Sequence, residues 1–351
     1  MHPTSRAAWA LIAAVLAVHL IAVLRAGPPP LVGDSMHYHD IATNLAAGRG
    51  FAFSSSQQMP WQRDSLGTPR PTALRPPLYP VFLSTLYRAG LDPFGVVVVQ
   101  AVLAGITAWL IYRLSRRVGL DDREACVAVA AYLGYPLFAA HTVQLVTETL
   151  FVPLVLASGL ALLRAVDRGS VAEHALAGLL MGLAALTRPT ALPLPLVLVP
   201  FVWRRSTRPL PAVAAMLAVF ALVLSPWVIR NQRTFDRFEP SITMSGRNLF
   251  TGTYPASRGG STLTDAQQPA DIVAALPGLD EFQIDSVYNV AAARNLREHP
   301  AEQVPLALSK LVRCWFQVVE PGMFRPTFRS LMLNAPLLAA GLWGWRRLRS
   351  R

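Results

Sequence analysis

The chain has 351 residues, 53% hydrophobic and 15% charged, with a formal net charge of +12. An ordinary soluble domain carries about 25% charged residues, so the low charge and the long apolar blocks point to a polytopic membrane protein. The positive charge is almost all Arg, placed at the ends of apolar blocks. It forms no basic stripe with interleaved aromatics, and nucleic acid is not an expected partner.

In chain order, residues 7–24 are apolar except for His19 and are flanked by Arg6 and Arg25. The run is longer than a signal-peptide core and no small-residue cleavage site follows, so it reads as a retained first span. A first outer loop covers residues 26–93. Within it, residues 35–47 read as a short amphipathic helix with Tyr38, Ile41 and Leu45 on one face, Gly48 at its end and Asp34 as its N-cap. Residues 54–71 are irregular, rich in Ser, Gln and Pro. After Arg75-Pro76-Pro77 a second amphipathic helix places Leu78, Val81, Phe82, Thr85 and Leu86 on one stripe. Two such helices in one loop suggest a layer lying flat on the membrane surface.

Further spans are expected at residues 94–112, 125–140, 143–163, 175–186, 191–203, 210–229 and 331–345, with Arg188-Pro189 breaking the two weakest apart. The fold class expected is therefore an all-α polytopic membrane protein with about eight transmembrane helices. It would carry two interfacial amphipathic helices in the first outer loop and a mostly helical second outer region. The domain reading is a transmembrane catalytic module at 1–229, an extracytoplasmic region at 230–329, and a last short span with a basic tail at 330–351. With the N-terminus inside, the Arg clusters at 113–123, 164–168, 204–208 and 346–351 all fall inside. The expected location is the cytoplasmic (inner) membrane, with both termini cytoplasmic and Asp34, His141, Glu148, Arg188 and Arg230 on the outer side. Cys126 and Cys314 then lie near opposite faces and are not expected to pair.

These outer residues carry the chemistry. Asp34 is either a helix cap or an acid able to deprotonate an acceptor hydroxyl arriving from water. Glu148, set a turn or more into an apolar helix, has to be paired or line a wet cavity. Arg188 and Arg230, at outer helix ends, either snorkel to the interface or bind a phosphate through two parallel donors, and Arg75 is a third such candidate. Tyr38, Asp40 and His141 are supporting candidates. His37 and His39 have no recognised metal-ligand spacing.

The segments GDSMHYHDIATNLAAGRGF, ALRPPLYPVFL, VTETLF, GLAALTRP, SPWVIRN and GRNLFTGTYP occur in this order. In them the chain resembles the membrane glycosyltransferases that use polyprenyl-phosphate sugars, the GT-C superfamily, and in particular the bacterial branch related to protein O-mannosyltransferases and the lipid A aminoarabinose transferase. The resemblance runs from about residue 7 to residue 316. It implies an inverting transfer from a polyprenyl-phosphate sugar donor to a hydroxyl or phosphate of a glycan, lipid or protein acceptor, beside membrane lipid. It implies Asp34 as catalytic base, Glu148 as the second acid, and Arg188 and Arg230 as holders of the lipid phosphate. Some members bind a divalent metal ion near these acids, so Asp34 and Glu148 are the positions that would face it. Members carry more spans after the large outer region than this sequence does. An inactive or accessory lipid-binding membrane protein therefore stays open as an alternative. A lipid or solute transporter is a further alternative, although transporters gather polar groups at the bilayer midplane.

Overall fold

The structure is a computed structural model that describes residues 4–54, 68–257 and 267–316 (side chains through 312), with positions 334–335, 337–339, 341–342, 344 and 346. Its contacts divide the chain into two units, the division falling between Ile242 and Thr243.

The first unit is helical apart from one short ladder. α1 (Arg6–Ala26) starts where the Ser5 hydroxyl accepts from the Ala8 amide at 3.1 Å, and it ends at Gly27. α2 (Asp34–Ala46) is entered through Gly33, whose φ of 55° favours glycine. β1 (Ala52–Phe53) and β2 (Arg70–Pro71) pair antiparallel, Ala52 opposite Pro71. Then come α3 (Leu78–Arg88), α4 (Pro93–Arg117), α5 (Asp122–Leu133), α6 (Pro136–Thr142), α7 (Glu148–Arg168), α8 (Val171–Thr187), α9 (Leu194–Arg205) and α10 (Pro209–Phe235).

Several of these helices are long and apolar, as in a multi-pass membrane protein. The number differs from the expected eight. Among the described residues, four helices (α1, α4, α7 and α10) are long and apolar enough to cross a membrane, or five if α5 and α6, bent by 58°, are one broken span. The bend falls at Tyr135, which is extended (φ −95°, ψ 104°) as the residue before a proline prefers to be. Arg188, before Pro189, is likewise extended (φ −145°, ψ 124°) and stops α8 after 17 residues, while α9 has only 12. At 1.5 Å per residue these reach roughly 26 and 18 Å, short of a bilayer core of about 30 Å. The ladder of β1 and β2 corrects the all-α reading. The segment 331–345 lies mostly outside the described residues, as do 55–67 and the side chain of Cys314. Cys126 is a free thiol.

Among the described residues, several buried clusters hold the unit. Val15, Ala104, Ala108, Tyr112, Val129 and Tyr132 form one core between α1, α4 and α5. Val23, Tyr38, Ala42, Tyr79, Leu83 and Val97 form a second, on which α2 and α3 sit. Ala161, Leu162, Ala177, Met181, Val202 and Met216 form a third between α7, α8, α9 and α10. In that layer the backbones of α8 and α10 touch. A Cβ at Gly178 would collide with the Met216 main chain, and one at Gly182 would meet Val223 at 2.8 Å. Two glycines four apart are the small-residue pattern that lets membrane helices approach closely. His19, in the apolar run between Arg6 and Arg25 of α1, is buried and shares a 2.7 Å hydrogen bond with the Thr142 hydroxyl of α6.

Gln100 of α4 is fully buried and uses its whole side-chain amide. Its Oε1 accepts from the Tyr79 hydroxyl at 2.5 Å and from the Thr149 hydroxyl at 2.9 Å; its Nε2 donates to the carbonyls of Thr142 at 2.9 Å and Gln144 at 2.8 Å.

The second unit contains α11 (Ser245–Thr253), α12 (Ala270–Ala275), α13 (Glu281–Glu298) and α14 (Pro300–Phe316). Phe250, Ile272, Ile284, Tyr288, Ala291 and Ala292 form its core. The Gly246 amide donates to Asp285 Oδ1 at 2.7 Å, and a Cβ at Gly246 would strike the Asp285 carbonyl.

Gly178→Ala is expected to force α8 and α10 apart and to lower stability by about 1–3 kcal/mol. Thermal unfolding in detergent measures it, and an unchanged midpoint would contradict the close packing.

Candidate functional site

Asp34 is the first residue of α2; Gly33, not Asp34, holds the capping position, and no side chain caps that end. The carboxylate turns instead to Arg75, whose Nη2 donates to Asp34 Oδ1 at 2.5 Å. The bond is charge-assisted, about twice as strong as a neutral one. Arg75 is buried, while the Asp34 side chain is 58% exposed. Arg75 also donates to His37 Nδ1, from Nη2 at 2.8 Å and from Nε at 3.2 Å, and its guanidinium lies 5.4 Å from the Tyr38 ring centroid. A guanidinium has no acceptor, so His37 Nδ1 carries no proton in this arrangement.

Glu148 is the first residue of α7, because residues 143–147 are not helical. It does not stand a turn inside an apolar helix, as its sequence position suggests. The positive end of the helix dipole favours an acid there. Arg188 Nη1 lies 2.6 Å from Glu148 Oε1 and donates to the Thr147 hydroxyl at 2.8 Å, with its guanidinium 5.8 Å from the Phe151 centroid. Both side chains of this pair are about a third exposed, at 31% for Glu148 and 36% for Arg188.

Tyr38 joins the two pairs. Its ring packs edge-on against Tyr79 at 5.1 Å. Burial pushes its phenol above the usual tyrosine range, and Arg75, Asp34, Arg188 and Glu148 all act on it through space. Four charged residues from four stretches of chain are therefore within electrostatic reach of one buried phenol, Arg75 lying over its ring.

The remaining candidates are placed differently. Arg230 donates to the main-chain carbonyls of Thr72 and Phe51, each at 2.8 Å, and lies among the rings of Phe51, Trp227 and Phe235 at 5.0–5.4 Å. It braces both strands of the ladder against α10. Asp40 accepts from the Ser54 amide at 2.6 Å, just after β1. His39 pairs with the Tyr87 hydroxyl at 2.9 Å. His141 lines a cavity of about 20 Å³ together with Gln100, Thr107, Thr142, Glu148 and Thr149. That volume suits about one water, and the buried His141 Nδ1 has no hydrogen-bond partner among the described residues.

For a divalent metal the donor set does not fit. No group of three or more His, Cys, Asp or Glu converges among the described residues, and Asp34 and Glu148 each face a guanidinium.

Sequence reasoning missed three residues of this site: His37 as the second partner of Arg75, Thr147 as the second partner of Arg188, and Gln100. Only Gln100 carried a local signal, as a lone amide within VVVVQAVLAG.

Tyr38, Tyr79 and Tyr87 all have phenols raised by burial. Their folded pKa lies above the unfolded value of about 10. Above that pH the unfolded chain has lost protons that the folded chain keeps, so stability falls as pH rises, by up to about 1.4 kcal/mol per pH unit for each tyrosine. Tyr38→Phe should make the alkaline loss of thermal stability shallower, and an identical slope would show that Tyr38 ionises normally.

The comparison with curated proteins found no match to the chain. Residues 74–229 match the family model described as dolichyl-phosphate-mannose-protein mannosyltransferase, a stretch that contains Arg75, Glu148 and Arg188 but ends before Arg230 and begins after Asp34. In this stretch, less than half of the chain, the sequence is similar to the protein O-mannosyltransferases, and the similarity supports a glycosyltransferase-like activity in general.

Proposed function

We propose that the protein transfers a sugar, with inversion, from a polyprenyl-phosphate donor to a hydroxyl or phosphate on a glycan, lipid or protein, at the outer face of the cytoplasmic membrane. The observation that carries this reading is the meeting of two acid–guanidinium pairs, Asp34 with Arg75 and Glu148 with Arg188, around Tyr38. Catalysis would reside in residues 1–229, with both termini cytoplasmic and the region 230–329 on the outer side. The Arg clusters at the ends of the apolar segments support that orientation.

In the proposed reaction, Asp34 is the base. One carboxylate oxygen is held by Arg75, and Oδ2 has no hydrogen bond among the described residues, so it is open to an acceptor hydroxyl. The acceptor oxygen attacks the anomeric carbon opposite the phosphate while its proton passes to Asp34. The carbon–oxygen bond to the phosphate breaks with its electron pair staying on the phosphate. Arg188, set by Glu148 and Thr147, and Arg75, set by His37, meet the charge that develops there, and fixed cations of this kind are usually the largest contribution. Arg230 supports the site by holding the ladder, and Tyr38 keeps the two pairs apart as a neutral buried ring.

The second reading, an accessory lipid-binding protein, is favoured by the fact that both acids are already paired with Arg. The deciding experiment follows release of polyprenyl phosphate from candidate polyprenyl-phosphate sugars by the purified protein in detergent and lipid. Asp34→Asn should slow release about 10²–10⁴-fold, the typical general-base contribution. Equal release from both proteins would remove Asp34 as the base. No release from any donor, with donor still bound, would favour the accessory reading.

A further inference from the structure

The positive charge at the far ends of α4 and α7 is not used by the proposed reaction. Arg113, Arg116 and Arg117 from α4 meet Arg164, Asp167 and Arg168 from α7 around a cavity of about 290 Å³, with Leu160 in its wall. It lies roughly 30 Å from Glu148, the length of α7 at 1.5 Å per residue. We propose that this cavity binds a phosphate-bearing anion, either the headgroup of an anionic phospholipid or free phosphate.

Charge is the first reason. The one acid in the lining, Asp167, is held by Arg117, and Arg168 is drawn outward to Glu173 at 2.5 Å. Five guanidiniums set against the carboxylates of Asp167 and Glu173 leave a net positive charge that an entering anion would offset. Unmet hydrogen bonding is the second. The Nε atoms of Arg116 and Arg164 are buried with no hydrogen-bond partner among the described residues. A buried N–H with no acceptor is costly, and a phosphate oxygen is the acceptor that a guanidinium fork fits. Some of the charge does have a structural use: Arg116 donates to the Leu120 carbonyl at 2.9 Å and Arg117 to the Leu163 carbonyl at 3.1 Å, which satisfies helix ends. Neither of these two carbonyl contacts is made by Arg164, whose Nε is the buried group left without a partner among the described residues. Location is the third reason. The cavity sits at the ends of two helices long and apolar enough to span a membrane, with apolar Leu160 in its lining. Basic pockets between spanning helices at that depth suit lipid headgroups. Only the name of the leaflet, cytoplasmic, depends on the orientation proposed above.

The test measures the thermal unfolding midpoint in two arms. In one, phosphatidylglycerol is titrated into phosphatidylcholine micelles. In the other, inorganic phosphate is titrated into phosphatidylcholine micelles at ionic strength matched with chloride. The wild type should show a saturable rise. A rise with lipid alone identifies the headgroup as the ligand, and a rise with inorganic phosphate identifies the phosphate group itself. Arg116→Gln/Arg164→Gln should raise the half-saturating concentration at least about tenfold, the loss of two charge-assisted contacts. Arg204→Gln/Arg205→Gln, which removes the same charge from α9, should leave it unchanged. The first variant relieves repulsion and is expected to fold; Arg164→Gln alone, with a smaller shift in the same direction, stands in for it otherwise. No saturable rise in either arm, or the same curve for wild type and all variants, would overturn the proposal and leave the cluster as topogenic charge.

Discussion

The four hydrogen bonds of Gln100 are the constraint on which the candidate site depends. A primary amide offers two donors and two acceptor positions, and here every one is used in a fully buried setting. Inside an apolar helix each unmet bond would be costly, so the amide fixes its partners with little freedom. Those partners are Tyr79 in the first turn of α3, the carbonyls of Thr142 and Gln144, and Thr149 in the first turn of α7. One side chain thus holds the entry to α7, where Glu148 stands, against the entry to α3, just after Arg75.

From that anchor the charges fall into place by exchange of partners. Arg75 is buried and needs acceptors, and Asp34 and His37 on α2 supply them. Arg188 leaves the helix at the residue before a proline and turns to Thr147 and Glu148. Neither pair is deep enough to lose water on all sides, so each keeps part of its carboxylate or guanidinium accessible. An exposed acid beside a buried cation can accept a proton without first being dug out of the protein. The same geometry serves an accessory protein well, which is why the release of polyprenyl phosphate, rather than the geometry, separates the two readings.

The two ends of α7 carry opposite characters. Its first residue is an acid set against Arg188; its last turn belongs to an arginine-lined cavity. Both follow the helix dipole, which favours acids at the N-terminus and cations at the C-terminus. The dipole alone accounts for one or two charges at each end, and five guanidiniums around one cavity exceed it.

Local pattern determined a good deal. The apolar runs that became α1, α4, α7 and α10, the two short amphipathic helices of the first loop and the break at Pro189 are properties of neighbouring residues, set by hydropathy and by proline sterics, whereas the bend before Pro136 falls inside what hydropathy reads as one span, 125–140. Asp34, Glu148, Arg75 and Arg188 could be singled out because charge in or beside an apolar segment has few inexpensive environments. Hydropathy could not determine how many segments cross, since α8 and α9 are apolar yet too short, and their length depends on where Arg188 leaves the helix. Nor could it determine partners. Arg75 meets Asp34 across 41 positions, and Arg230 meets the carbonyls of Thr72 and Phe51 across 158 and 179. Such pairings depend on which helix faces touch, through contacts like those of Gly178 with Met216 and Gln100 with Tyr79. Periodicity fixes the face that a residue occupies on its own helix; only packing decides what lies opposite it.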